Sequence, residues 1–207
     1  MLQNGVSEAI LSRVPGYIAF LENYHNSYIS ATIIASELNY GEVMVRKDLA
    51  KISTGGKPKI GYEVSQLLND LKSYMGYDHE TRAAIVGMGR LGKALYHYNG
   101  FDPYHIKIVA AFDLNNSYEH IHRFKAICKL KKIDIGIITV PKDMAQSICD
   151  LMVESNIKAI WNFAPVILDV PKHIIVKNEN MACSLSVLAK LTHDRKWLDK
   201  YGKNYRY

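Results

Sequence analysis

The chain has 207 residues, 48% of them hydrophobic and 22% charged, a balance that excludes a disordered or fibrous protein and fits one large domain or two small ones. No apolar run approaches the roughly eighteen residues needed to cross a bilayer, and no basic segment with a signal core opens the sequence, so a soluble cytoplasmic protein is expected. The net charge of +6 is unevenly spread: residues 1–80 hold seven basic against nine acidic side chains, residues 81–207 nineteen against eleven. The cluster Arg46, Lys47, Lys51, Lys57 and Lys59 surrounds a single acid, Asp48, and Arg123, Lys125, Lys129, Lys131 and Lys132 form a second cluster. Charge runs are usually solvated faces, so each needs a structural context. The cysteines, Cys128, Cys149 and Cys183, are odd in number, widely spaced and without a CxxC pattern, which predicts buried thiols rather than disulfides or a metal site.

The first eighty residues read as short helices. Tyr17, Phe20, Leu21 and Tyr24 recur at helical spacing behind Pro15, a residue suited to a first turn. Ser30 is placed to cap a helix with Ile33, Ile34 and Leu38 as its apolar stripe. A break at Asn39-Tyr-Gly41 precedes a helix from Glu42 to about Ile52, with Val45 and Leu49 facing inward. Two short helices about such a turn make a helix-turn-helix. The turn-rich stretch 53–62 suits a wing, and a helix from Glu63 to Tyr74 follows.

From Arg82 the texture changes to apolar runs at Ala83–Val86, Ile106–Phe112, Ile133–Val140 and Ala159–Trp161, with helices expected near 90–98, 118–129 and 143–155. This alternation predicts an α/β domain with a parallel sheet covered on both faces. The first run ends in Gly87-Met88-Gly89-Arg90-Leu91-Gly92. Between a strand and a helix, these glycines allow a tight turn, close approach of a pyrophosphate, and close helix-strand packing. Asp113, 21 positions after Gly92, ends the second run where an acid would accept ribose hydroxyls and repel a 2′-phosphate, favouring NAD(H) over NADP(H). Thr139-Val140-Pro141 and Asn162-Phe163-Ala164-Pro165 lie at further strand ends, the edge where ligands of open α/β sheets bind.

The combination of Arg46-Lys-Asp-Leu49, Gly61-Tyr62, the glycine motif, Tyr98-x-Gly-Phe101, Ile108–Asp113, Thr139–Pro141 and Asn162–Val166 resembles the Rex family of redox-sensing transcriptional repressors over residues 6–190. The resemblance implies three parts: a winged-helix DNA-binding domain over 1–80, a Rossmann domain over 81–179, and a C-terminal helix and basic tail over 180–207. It further implies a homodimer that exchanges this helix, binds operator DNA, and leaves it when NADH is bound. Tyr98, Phe163 and Met181 would surround the nicotinamide. Arg46, Lys47, Lys51, Ser30, Lys57, Lys59 and Tyr62, with Met44, would form the DNA surface.

Several positions depart from that pattern. Met44 stands where the family places Gln, Pro58 stands in place of a wing arginine, and Asn180 stands in place of an acid. The segment between Asp113 and Thr139 is about ten residues shorter than the resemblance leads one to expect, which predicts a missing strand or loop. Competing readings are a nucleotide-binding paralogue without specific DNA binding, a small NAD-dependent dehydrogenase, and a coenzyme A-binding domain. No proton-transfer pair is evident for the dehydrogenase, so no enzymatic activity is expected.

Overall fold

In a computed structural model, residues 8–114 and 118–193 are described. They belong to two compact units that divide between Asp78 and His79. No helix among the described residues is long and apolar enough to cross a membrane.

The first unit is helical with a small two-stranded sheet. Helix α1 spans Glu8–Leu11 and α2 spans Val14–Glu22, with Pro15 in its first turn as expected. Strand β1 (Tyr28–Ile29) leads to α3 (Ala31–Glu37), whose first turn is closed by Ser30 Oγ accepting from the Ile33 N–H at 3.2 Å. Asn39 takes the left-handed conformation that ends α3, and α4 (Glu42–Ile52) begins after Gly41. Strand β2 (Tyr62–Glu63) pairs antiparallel with β1, and α5 (Val64–Tyr74) closes the unit. Tyr17, Leu21, Ile34, Val45, Leu49, Leu67 and Leu71 fill the core. The stripe expected on α3 is corrected at one position. Ile33 is exposed, and Ala31, Ile34 and Ala35 face inward.

The wing forms where Lys57 and Gly61 bridge antiparallel, leaving 58–60 as its tip. Gly61 sits at φ +91° with its missing Cβ 2.2 Å from the Ile29 carbonyl oxygen, so only glycine fits where the wing crosses β1.

The second unit is a six-stranded, wholly parallel sheet. Its elements are β3 (Thr81–Val86), α6 (Arg90–Tyr96), β4 (Ile106–Asp113), β5 (Glu119–His120), α7 (Phe124–Lys131), β6 (Ile135–Ile138), α8 (Lys142–Glu154), β7 (Ala159–Asn162), β8 (Ile175–Asn178) and α9 (Met181–Thr192). The strand order is β5-β4-β3-β6-β7-β8, so the progression of strands changes side between β3 and β6. This is the doubly wound dinucleotide-binding order. The helix expected over 118–129 is instead β5, a short 3-10 turn at Ile121–Arg123, and α7. The shortened segment therefore keeps its edge strand, reduced to two residues.

One face of the sheet packs on α7 and α8 through Val86, Phe112, Phe124, Ile138, Cys149 and Met152. The other carries Ala83, Ile85, Met88, Ala111 and Ile137 against Leu95, Trp161 and Phe163. Part of this second face opens as an apolar cavity of about 340 Å³ lined by Ile106, Ile108, Ile135, Ala159, Trp161 and Ile175. The expectation of full cover on both faces is thus corrected for the described residues. No residue of α9 is buried, and Met181 and Leu185 are 62% and 66% exposed. Cys128 and Cys149 are buried thiols as expected, their pKa values pushed up to about 11 by burial, whereas Cys183 on α9 is exposed. The basic tail from residue 194 lies outside the described residues.

Candidate functional site

The glycine turn between β3 and α6 is built by contacts that admit no side chain at two of its three glycines. Gly87 has φ +101°, and a Cβ there would stand 2.8 Å from the Thr139 backbone. A Cβ on Gly92 would stand 1.9 Å from the Gly87 carbonyl oxygen, which brings α6 against the turn. Gly89 differs: it caps α6, is exposed, and a Cβ there would meet nothing within 4 Å. The open space lies over the first turn of α6, where the N–H groups of Arg90, Leu91 and Gly92 have no carbonyl one turn back to bond. Arg90 is exposed beside it and Leu91 is half-buried.

Asp113 ends β4 beside this turn. Its carboxylate accepts the Met88 N–H at 2.6 Å and the Leu114 N–H at 2.7 Å. Asp113 also lines the cavity beside this turn, at the strand end where an acid can meet ribose hydroxyls. Thr139 at the end of β6 donates its hydroxyl toward the carbonyl oxygens of Val86 (3.1 Å) and Gly87 (2.6 Å), tying two strand ends together. Val140 and Pro141 continue from it. With Gly87, Gly89, Asp113, Ile121, Met144 and Ile148 they line a cavity of about 310 Å³ that is apolar except at the acid. Its size is that of a small-molecule site. An apolar slot bordered by one acid fits the adenosine end of a dinucleotide. Ile121, Met144 and Ile148 were not singled out from sequence, and only the inward positions of α8 could have signalled the last two.

Two expected contact residues are used inside the protein. The Met88 side chain is 4% exposed in the core, so only its backbone faces the site. Asn162 is fully buried. Its amide donates to the carbonyls of Ala164 and Val166 and to Asn178 Oδ1, and its oxygen accepts from the Ala164 N–H. That set folds the turn after β7 and leaves Phe163 half-buried and Pro165 exposed at the sheet edge, with Ala164 beneath. Aromatic rings pack edge to face in a row from Tyr98 to Phe101 (5.0 Å between centroids), Trp161 (6.0 Å) and Phe163 (4.5 Å). Tyr98, 58% exposed, lies over Gly100. Met181 is exposed at the start of α9, whose cap is Asn180 Oδ1 accepting from the Cys183 N–H. Glu179, also missed from sequence, accepts from Trp161 Nε1 at 3.2 Å.

In the first unit, α4 is held from behind by an ion network. Arg13 donates twice to buried Asp48, at 2.7 and 2.9 Å, and the Tyr17 hydroxyl donates to the same carboxylate at 2.8 Å. Its bond to Asp48 holds the Arg13 pKa above the usual value. Burial first, and Asp48 second, push the Tyr17 hydroxyl pKa well up, so it stays a donor. Asp48 is a positioning residue whose role was not read from sequence, because Arg13 lies 35 residues away. On the outer side Arg46, Lys47 and Lys51 are exposed, Met44 is half-buried, and Arg46 pairs with Glu42 one turn back. Lys57, Pro58 and Lys59 are exposed on the wing, and the half-buried Tyr62 ring packs where a Cβ of Gly56 would sit. Ser30 is half-buried, with its hydroxyl engaged as a cap.

A helix-turn-helix with a wing, followed by a dinucleotide-type sheet, defines a nucleic-acid-binding fold joined to a small-ligand domain. Residues 78–166 match the family model described as a CoA binding domain. The chain is 34% identical to the redox-sensing transcriptional repressor Rex of Porphyromonas gingivalis over 91% of this chain and 92% of that protein. It is 32% identical to Rex of Clostridium perfringens over 91% and 95%. Among solved structures, RSP in complex with β-NAD+ and operator DNA matches with a TM-score of 0.87 and 29% identity over 99% of this chain and all of that one. RSP with β-NADH matches at 0.83 over 96% and 99%. The chain belongs to the Rex family of redox-sensing transcriptional repressors. Those relatives are repressors rather than enzymes.

Proposed function

We propose that this chain is a repressor that binds operator DNA through α4 and the wing and is released when NADH occupies the second unit. The observation that carries the reading is the glycine turn with Asp113 beside it, in the same chain as a winged helix. Gly89 and the first turn of α6 would receive the pyrophosphate, Asp113 the adenosine ribose, and Val140 and Pro141 the adenine end. Asp113 disfavours coenzyme A and NADP(H), since a ribose phosphate would meet its charge. Oxidised nicotinamide is a cation and the reduced ring is neutral, so the aromatic row ending at Phe163, with Tyr98, favours NADH by excluding water from the ring. Arg46 and Lys47 would reach base edges or phosphates, and Lys51, Lys57, Lys59 and Ser30 phosphates.

The partner for α9 is a second copy of this chain. An apolar helix with no buried residue, in a unit with an open apolar sheet face, supports a homodimer with exchanged helices, in which Met181 would cover the partner's ring. A protein of this kind works in the cytoplasm, and no enzymatic role is assigned to it. Met44 and Pro58 favour a second reading, a nucleotide-binding paralogue without sequence-specific DNA binding.

The test is a mobility-shift titration of promoter duplex at two salt concentrations, with NADH and NAD+ added separately. The proposal expects a complex with sequence preference at the higher salt, dissociated by NADH only. Binding that vanishes with salt and shows no sequence preference would support the second reading, because phosphate contacts alone are salt-sensitive and do not read sequence.

A further inference from the structure

The outward side of α4 has an unusual composition for a surface that reads DNA. Val45, Asp48 and Leu49 are its buried residues, which leaves Val43, Arg46, Lys47 and Ala50 on the opposite side at i, i+3, i+4 and i+7. Val43 is 67% exposed. It borders, with Met44, Lys47, Ala50 and Lys51, a cleft alongside the helix. The helix contains no Asn or Gln, the amides that pair with the adenine edge, and its one guanidinium, Arg46, is engaged by Glu42. Beside Arg46 and Lys47, the groups left to meet base edges are small and flexible apolar ones. Single exposed apolar residues are ordinary on protein surfaces. Exposed Val43 and Ala50 with half-buried Met44 beside them, between lysines that would straddle a phosphate-lined groove, have a specific counterpart, because the thymine C5-methyl is the apolar group that the major groove displays.

We propose that α4 reads thymine methyl groups through Val43, Met44 and Ala50, so that methyl contacts rather than amide pairs to adenine set the operator preference of this chain. The inference rests on the DNA-binding reading above and deepens it.

The full-length protein enriches duplexes from a randomised library. In the enriched sequence each dT is then replaced singly by dU, which removes the methyl and keeps the base pair. Binding is followed by fluorescence anisotropy. Each contacted methyl should cost about fourfold in affinity. Val43→Ala and Met44→Ala should each remove that penalty at particular thymines and leave it intact at the others. Both positions lie outside the core, and an unchanged melting temperature verifies the fold. An enriched sequence insensitive to dU at every position would overturn the methyl reading alone, as would penalties that persist in both variants. Failure to enrich any sequence would overturn it together with the DNA-binding reading.

Discussion

Asp48 in the first unit and Asp113 in the second each lie beside a candidate site, and the two acids are used differently. Asp48 is buried behind α4, where Arg13 and Tyr17 consume it, and the exposed side chains of the helix are left to make contacts. Asp113 lines its cavity and holds the glycine turn through the Met88 N–H, where its charge would meet a ligand. The first unit thus keeps its supporting ion network apart from the exposed side of α4, whereas in the second the same acid both holds the turn and lines the cavity. Substituting outward residues of α4 should alter DNA binding without affecting folding. Substituting the glycine turn should affect folding and ligand binding together.

The largest effect is expected from Asp48→Ala, which leaves Arg13 nearly buried without a counter-charge. Chemical denaturation of the first unit should show a loss of about 4 kcal/mol, with DNA binding lost in parallel. Gly92→Ala comes next, because the new methyl meets the Gly87 carbonyl and forces the turn open. A stability loss of about 3 kcal/mol and abolished NADH binding, with DNA binding retained, would confirm that fold and site coincide there. Full NADH affinity in that variant would break the distinction between the units.

The smallest effect is a pH dependence. Burial raises the Cys149 pKa from 9.0 to about 11, so the native state holds its proton where the unfolded chain releases it. That contribution is complete below pH 9 and disappears as pH rises toward 11. At pH 10 it amounts to about 1 kcal/mol. The pH slope of stability between 9 and 11 should be shallower in Cys149→Ala than in the parent protein.

The contrast between the units also explains what the sequence made legible. The glycine turn and Asp113 were readable because their spacing is local and chemically specific, and the inward Val45 and Leu49 followed from helical periodicity. That Asn162 and Met88 turn their side chains inward was not legible, because a position at a strand end does not say which way a side chain faces. Strand β8 was not foreseen, since Ile175–Asn178 is a short edge strand with little burial, and β5 was absorbed into a helix because two residues carry no period. Asp48 was hidden for a different reason: its partner is distant in sequence, and only the fold brings the charges together.

The proposed release of DNA by NADH couples the two units, and linkage makes that coupling directly measurable. If NADH weakens DNA binding, DNA must weaken NADH binding by the same factor. The NADH dissociation constant should therefore be measured by titration calorimetry, alone and with saturating enriched duplex. The account predicts at least about tenfold weaker binding with DNA present, roughly 1.4 kcal/mol of coupling. Equal dissociation constants in the two titrations would contradict it.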